Sequence, residues 1–348
     1  GAPGVLRMLE MAHKQYGKLP WSALFVAAIK LAEEGFPVSH RLHTLLASEK
    51  YLKADSEAAH YFYDAQGAPR PVAYILKNPE FARVLRDIAA GGADAFYAGR
   101  IAKEIAQKVR SHATNPGTLS STDIEAYQAK LREPLCSDYK KWTVCGMPPP
   151  SSGGIGVAQM LSMLETKEME RLAPIDGVLN VDAIHLFSEV GRLAYADRAR
   201  YVADTDFVSL PPPGISALLD KKYLMERTGL IKERSMGIAK SGNPFPVELS
   251  IGKDTSPEFP CTSHIAIIDA SGNAVSMTTT IEDVFGSRQM VNGFLLNNQL
   301  TDFSFDAWDA NGPVANRVQP GKRPRSSMAP TFVFEKSSKK LLLITGSS

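Results

Sequence analysis

The sequence predicts a mixed α/β (α+β) protein, and three observations carry that reading. Residues 1–115 form a succession of helical patterns. Two stretches, 133–145 and 262–280, have the form of β-hairpins. The runs Phe332-Val333-Phe334 and Leu341-Leu342-Leu343-Ile344 read as strands around a Lys336-Ser337-Ser338-Lys339 turn. The chain has 348 residues, 44% hydrophobic and 22% charged, the composition of a soluble globular protein. That length holds two ordinary domains or one large one. A net charge of +2 argues against nucleic acid as a main partner. No apolar run approaches the roughly 20 residues needed to span a bilayer.

In chain order, Val5–Tyr16 reads as a helix, followed by 21–35 with Ser22 near its start and Gly35 as its stop, then 81–90 and 93–111. His13, His40, His43 and His60 have no metal-ligand spacing and are read as ordinary histidines, so no metal is expected. Thr122-Asp123-Ile124-Glu125 has the form of a capping box opening a short helix. In the 133–145 hairpin a Lys140-Lys141 turn sets Tyr139 opposite Trp142 and Cys136 opposite Cys145. Facing cysteines form a disulfide in an oxidising compartment or stay as thiols in a reducing one; both readings stand. Pro148-Pro149-Pro150 ends the hairpin, and the Ser151-Ser152-Gly153-Gly154 loop leads into a helix at 157–165. A loop at a helix N-terminus suits an anion, with weak specificity; it is read here as scaffold. Residues 181–202 form the longest helix, with Ile184, Phe187, Val190 or Gly191, Leu193 and Ala194 on one face. Asp197 and Arg198 are read as a buried pair without a catalytic role. Pro211-Pro212-Pro213-Gly214 breaks the chain before a helix at 218–232. Residues 235–260, rich in Gly, Pro, Ser and Asn, read as a mobile, exposed linker.

The second hairpin carries the chemistry. Ile265-Ala266-Ile267-Ile268 and the return run around Val275 and Met277 flank a three-residue loop, Ala270 to Gly272, with Gly272 at the left-handed position. That register sets Asp269 opposite Asn273, His264 opposite Thr278 and Thr262 opposite Thr280. Residues two apart in a strand share a face, so Thr262, His264, Thr278 and Thr280 collect on one side. A Thr-rich face is either simply solvated or a site. A hydroxyl needs a base beside it to be a nucleophile, and an N-terminal threonine supplies one from its own amine. Here that requires a cut at Cys261–Thr262, freeing an amine of ordinary pKa about 7.7 to 8. Cys261 is the rival nucleophile.

Several long motifs in order resemble the γ-glutamyltransferase family: Thr262-Ser263-His264, Asp269 with Asn273-Ala274-Val275-Ser276, Thr278-Thr279-Thr280, Phe285-Gly286, Leu295-Leu296-Asn297-Asn298-Gln299, Asp302-Phe303-Ser304, and Lys322-Arg323-Pro324-Arg325-Ser326-Ser327-Met328-Ala329-Pro330-Thr331. Tyr195-Ala196-Asp197-Arg198 is similar to a signature of the same family. The resemblance covers nearly the whole chain. It implies an N-terminal-nucleophile hydrolase with an αββα sandwich, incomplete at both ends. Residues 1–261 would be a large-subunit portion, and 262–348 the first part of a small catalytic subunit. A segment upstream would carry an arginine for the substrate α-carboxylate, and glycines just downstream would form the oxyanion hole. The chain opens at Gly1-Ala2-Pro3-Gly4 with no signal peptide of its own, and a periplasmic or secreted protein is expected.

The resemblance also implies roles. Thr262 is the nucleophile, since the motif aligns it rather than Cys261 with the family's threonine. Thr280 holds and polarises its hydroxyl. Gln299 and Asp302 receive the substrate α-amino group, and Ser326 and Ser327 bind the α-carboxylate. Residues 303–320 form a lid loop. Glu282 departs from the pattern, standing where most members have an asparagine that helps hold the α-carboxylate. Its charge would repel a carboxylate unless a cation such as Arg288 neutralised it. The Thr278-Thr279-Thr280-Ile281-Glu282 run is similar to that of the capsule depolymerase branch, which acts on poly-γ-glutamate, and the change also suits another acyl group, as in cephalosporin acylases. The activity implied is hydrolysis or transfer of γ-glutamyl groups from glutathione and related amides, through a threonine acyl-enzyme, to water, an amino acid or a peptide. No metal or organic cofactor is implied. The rivals are an amidase of different acyl preference and an inactive member that serves as a binding module.

Overall fold

The computed structural model describes residues 1–257 and 262–347. Cys261 lies outside the described residues. The chain divides into two compact units, Gly1–Leu131 with Thr280–Gln299, and Arg132–Thr279 with Leu300–Ser348.

The first unit is helical: α1 (Val5–Tyr16), α2 (Val26–Glu34), α3 (His40–Ser48), α4 (Ser56–Phe62), α5 (Pro79–Gly91), α6 (Asp94–Tyr97), α7 (Arg100–Arg110) and α8 (Ser121–Glu125). Side-chain caps set several starts. Ser39 accepts from the Leu42 amide, Asp55 from those of Glu57 and Ala58, and Asn78 from that of Phe81. Three expectations are corrected. The 21–35 stretch opens as a 3-10 turn, Trp21–Phe25, and Ser22 does not cap the α-helix that follows. The 93–111 stretch breaks at Gly99, whose φ of +86° no helix accommodates. The capping box is Ser120 with Asp123, two residues before the expected one. The short helices α3 and α4 were too brief to show a sustained period in sequence. Val84, Ile88, Ile101 and Ile105 pack with Val291 and Leu296, while Leu46, Leu52 and Phe62 pack with Phe285 and Met290. The 280–299 segment is thus anchored in both cores of this unit.

In the second unit the Leu135–Tyr139 and Trp142–Gly146 strands pair as expected, with Tyr139 opposite Trp142 and Cys136 opposite Cys145. Lys140 takes the left-handed turn position at φ +51°. Cys136 and Cys145 are joined in a disulfide, which decides between the two readings. The Thr331–Glu335 strand adds to Trp142–Gly146 and Leu341–Thr345 adds outside it, giving a four-stranded antiparallel sheet. Helix α9 (Gly153–Leu164) begins earlier than expected, and α10 (Val181–Tyr201) is capped by Asn180. A 3-10 turn, Gly214–Leu219, precedes α11 (Lys221–Thr228), which is shorter than the 218–232 stretch because Asp220 caps it anew.

The buried face of α10 is Val190, Leu193, Ala194, Asp197 and Tyr201, spaced at helical intervals. Ile184 and Phe187, expected on that face, are 47% and 62% exposed. The expected Asp197–Arg198 pair is also corrected, because consecutive helical residues do not face each other. Asp197 instead forms an ion pair with Arg227 at 3.1 Å and accepts from Tyr223 Oη (2.7 Å), Gln159 Nε2 (3.1 Å) and the Gly242 amide (2.9 Å). Burial pushes its carboxyl above the usual range, and the Arg227 charge and the bonds from Tyr223, Gly242 and Gln159 offset only part of that rise.

The described part of the 235–260 linker is tied down rather than loose. Phe245 enters the α9–α10–α11 core. The Asp254 amide donates to Ala199 O and the Gly252 amide to Pro313 O. Among the described residues no helix is long and apolar enough to cross a membrane. Replacing Arg227 with Met in the complete protein leaves Asp197 buried without its cation. The expected loss is about 3–5 kcal/mol of unfolding free energy in a denaturant titration. A loss under ~1 kcal/mol would mean that the other donors suffice alone.

Candidate active site

The Ser263–Ile268 and Ala274–Thr279 strands pair in the expected register, with His264 opposite Thr278 and Ser263 opposite Thr279. The loop is closed by Asp269, whose amide donates to Asn273 O and whose Oδ1 accepts from the Ser271 and Asn273 amides. Gly272 has φ +82°, the left-handed position that the loop requires. Half-buried Thr262 leads directly into the first strand. On the face two residues along, His264 Nδ1 lies 2.9 Å from Thr278 Oγ1. The His264 ring packs on Gly346, where an added Cβ would come within 2.2 Å of its Cε1.

Ser326 and Ser327 belong to the same unit and are held by the Ser/Gly loop before α9. The Ser152 amide and Oγ both donate to Ser326 O, at 2.7 and 2.8 Å. The Ser326 amide donates to Pro150 O, and Ser151 Oγ to Met328 O. Gly153 touches the same strip so closely that a Cβ would meet Met328 O at 2.4 Å. This loop packs as the scaffold of the 326–328 strip. Beneath it, Arg198 donates from Nε to Ser152 Oγ (2.6 Å) and from Nη2 to Ser327 Oγ (2.8 Å).

Asp302 is fixed through its backbone. The fully buried Asn316 donates to Asp302 O (2.7 Å) and to Asp254 Oδ2 (3.0 Å), and its own Oδ1 accepts from the Arg325 amide (3.0 Å). Arg325 closes the group with a 2.9 Å ion pair to Asp254. Burial works against the Asp254 carboxylate, but bonds from Asn316 and Ser256 and the charge of Arg325 hold it below the usual range. The expected lid is therefore two things. Residues 305–311 are exposed, but Val314, Ala315 and Asn316 are core. Buried Lys322 pins that inner part, donating to Ala315 O, Arg317 O and Gln319 Oε1. Desolvation lowers its pKa to about 8.

Thr280, Glu282 and Gln299 lie in the first unit. The segment carrying them is strapped to the helices: the Gly293 amide donates to Glu57, Asn78 Nδ2 to Gly293 O, and Asn292 Nδ2 to Glu104. Glu282 is buried at φ +78°, a strained backbone for a residue with a Cβ. Its amide donates to Thr280 Oγ1 (2.8 Å), and its Oε2 accepts from Gln299 Nε2 (2.8 Å). Arg288 takes other partners, with Glu49 at 3.1 and 3.2 Å and Asp283 at 2.6 Å. Burial raises the Glu49 carboxyl, yet Arg288 and the Tyr51 amide outweigh it and hold it below the usual carboxylate range. The expected neutralisation of Glu282 by Arg288 is thus replaced by a bond from Gln299.

The structure brings Thr280, Glu282 and Gln299 together in one unit, and in the other sets Ser326 and Ser327 on one strip that shares Asn316 with the Asp302 backbone. Sequence reasoning missed Arg198 as a partner of Ser327, and missed Asn316. Arg198 carried a signal in its place beside a family signature; Asn316 sat in a stretch read as loop. Among the described residues no cluster of three or more His, Cys, Asp or Glu side chains is arranged to hold a metal ion.

The chain is similar in structure to the cephalosporin acylase from Bacillus halodurans, with a TM-score of 0.78 and 25% identity over 97% of this chain and 57% of that one. The fold is that of the N-terminal-nucleophile hydrolases. The family model described as Gamma-glutamyltranspeptidase matches residues 1–348, and the chain belongs to that family. It is 34% identical to the glutathione hydrolase proenzyme of Escherichia coli over 100% of this chain and 58% of that protein. It is 36% identical to the glutathione hydrolase proenzyme of Bacillus subtilis strain 168 over 96% of this chain and 56% of that protein. The chain spans a little over half the length of these curated relatives.

Gly346→Ala is expected to push the His264 ring off Thr278 and destabilise the complete protein by about 1–3 kcal/mol, as overpacking does. Combining it with His264→Ala should recover much of that loss in a thermal melt. A double variant no more stable than Gly346→Ala alone would mean that the clash lies elsewhere.

Proposed function

We propose that the complete protein is a γ-glutamyl hydrolase and transferase, acting on glutathione and other γ-glutamyl amides. It is made as a precursor that cuts itself at Cys261–Thr262 into a large portion, 1–261, and a small catalytic one starting at Thr262. The observation that carries this is the hairpin, whose register ends at Ser263 opposite Thr279, one residue inside the two threonines. The relatives named glutathione hydrolase proenzymes support both the substrate class and the maturation.

In maturation Thr262 Oγ attacks the Cys261 carbonyl, the Cys261–Thr262 C–N bond breaks, and the acyl group passes to oxygen. Water hydrolyses that ester and leaves Thr262 with a free amine. In turnover the amine takes the proton from Thr262 Oγ as it attacks the γ-carbonyl of the donor. The proton passes to the departing nitrogen, the amine product leaves, and water or an amino acid or peptide then takes the acyl group. Thr280 is proposed to hold the Thr262 hydroxyl. Its Oγ1 accepts from the Glu282 amide at 2.8 Å.

For the substrate, Ser326 and Ser327 are proposed to bind the α-carboxylate, and Gln299 and Asp302 the α-amino group. Glu282 is proposed to join the ammonium side. A carboxylate already bonded to Gln299 suits an ammonium and opposes a carboxylate. This favours glutamyl over glutaryl donors, which lack the ammonium, and so over the acylase reading that the Bacillus halodurans likeness raises. The Cys136–Cys145 disulfide supports an oxidising location, periplasmic or secreted.

Two outcomes test this. The complete protein should split at Cys261–Thr262 without added protease, and Thr262→Ala should stay whole on a gel; a wild-type band intact after long incubation contradicts the mechanism. Glu282→Asn should cut kcat/KM for a γ-glutamyl anilide roughly tenfold or more, the scale of a lost hydrogen bond to a charged group. A gain in affinity would instead put Glu282 on the carboxylate side.

A further inference from the structure

We propose that the first unit carries a binding site for a small aromatic carboxylate, with Arg70 as the cation that receives it. The site is independent of the reaction proposed above. A cavity of about 530 Å³ opens between α4, residues 70–78 and the start of α5, a size that suits a small ligand. All of its lining residues belong to this unit. Tyr61 and Tyr74 give it aromatic walls, and buried Leu76 and Met290 give it apolar ones. Tyr74 and the neighbouring Ile75 are 40% and 49% exposed, so apolar surface stands open to a ligand there.

Arg70 is held in place. Its amide donates to Phe62 O (3.0 Å), and its carbonyl is bonded by His43 Nδ1 (3.0 Å). The guanidinium lies 4.8 Å from the centre of the Tyr74 ring and donates from Nη2 to His60 O (3.1 Å). Its Nε is shielded from water and has no acceptor among the described residues. Arg83, Arg86, Arg100 and Arg288 of the same unit each pair with a carboxylate, but half-buried Arg70 pairs with none among the described residues. The two carboxylates on the lining are already engaged. Glu57 Oε1 accepts from the Gly293 amide (2.7 Å), and Glu80 pairs with Arg83 (2.6 Å). Lys77 adds a second positive charge to the lining. A fixed cation beside a tyrosine ring, with apolar walls, suits a ligand that is anionic at one end and flat and apolar at the other. A neutral aromatic would leave Arg70 without a counter-charge, and inorganic phosphate would leave the aromatic walls uncovered.

The test uses the complete protein and 2-naphthoate as the probe, followed by its fluorescence, with 2-naphthamide as the neutral counterpart. Naphthoate should bind about tenfold or more tightly than naphthamide, the scale of a hydrogen bond to a charged group. Arg70→Gln should weaken naphthoate about tenfold and change naphthamide little, and Arg70→Lys should recover part of the loss. Tyr74→Ala should weaken both. Saturating L-glutamate should leave naphthoate in place; displacement would put the probe in the site proposed for the γ-glutamyl donor and overturn the inference. No saturable binding, equal affinity for acid and amide, or Arg70→Gln or Tyr74→Ala variants that bind as the wild type does would also overturn it. Should the variants not fold, photolabelling of the wild-type protein with 4-azidobenzoate locates the site by peptide mapping. Label in residues 57–80 or 290–293 supports the inference, and label confined to other residues, or no label, overturns it.

Discussion

Asp197 and Arg198 follow each other on α10, and burying both charges constrains everything packed around that helix. Their side chains point in different directions, so each has to find its own partners. Asp197 gathers α9, α11 and the start of the 235–257 segment through Gln159, Tyr223, Arg227 and Gly242. Arg198 gathers the loop before α9 and the 326–327 strip through Ser152 and Ser327. Removing either charge would strand the other groups' polar atoms away from water, which is costlier than never having placed them there.

The same economy of long-range polar ties recurs wherever a candidate site residue sits on irregular backbone. Asn316 uses both ends of its amide, so the chain at Asp302 and the chain at Arg325 are set relative to each other by one side chain. In the first unit the 280–299 segment has little regular structure. It is positioned by Glu57, Asn78 and Glu104 from helices or their caps, and by apolar anchors in two cores. Rigid surroundings of this kind hold Glu282 in a backbone conformation it would not adopt alone.

Local signals were legible in the sequence and distant ones were not. Both hairpin registers followed from turn chemistry and period-2 alternation, and with them the facing of Cys136 and Cys145 and of His264 and Thr278. Helix α1 was legible to the residue. The face of α10 was misjudged because Ile184 and Phe187 fit the apolar stripe, while the buried turn is built on Asp197. The 235–257 segment looked like a linker by composition, yet Phe245 and Asp254 anchor it through partners far along the chain. For Arg198, Asn316 and Lys322, the partners lie at remote or irregular positions that no local pattern encodes. The family's motifs pointed to Thr262, Thr280, Gln299, Asp302, Ser326 and Ser327, and also marked Glu282 as the departure. The bond from Gln299 to Glu282 could be seen only in three dimensions.

The central claim is that Thr262 carries the acyl group. Rapid-quench mass spectrometry of the complete, self-cleaved protein with a γ-glutamyl donor tests it most directly. The expected result is one added γ-glutamyl group on the small fragment, located by peptide mapping on the N-terminal Thr262 and absent when a donor without the γ-carbonyl is used. An acyl group found on another residue, or turnover of the donor with no acylated fragment at any quench time, would contradict the account.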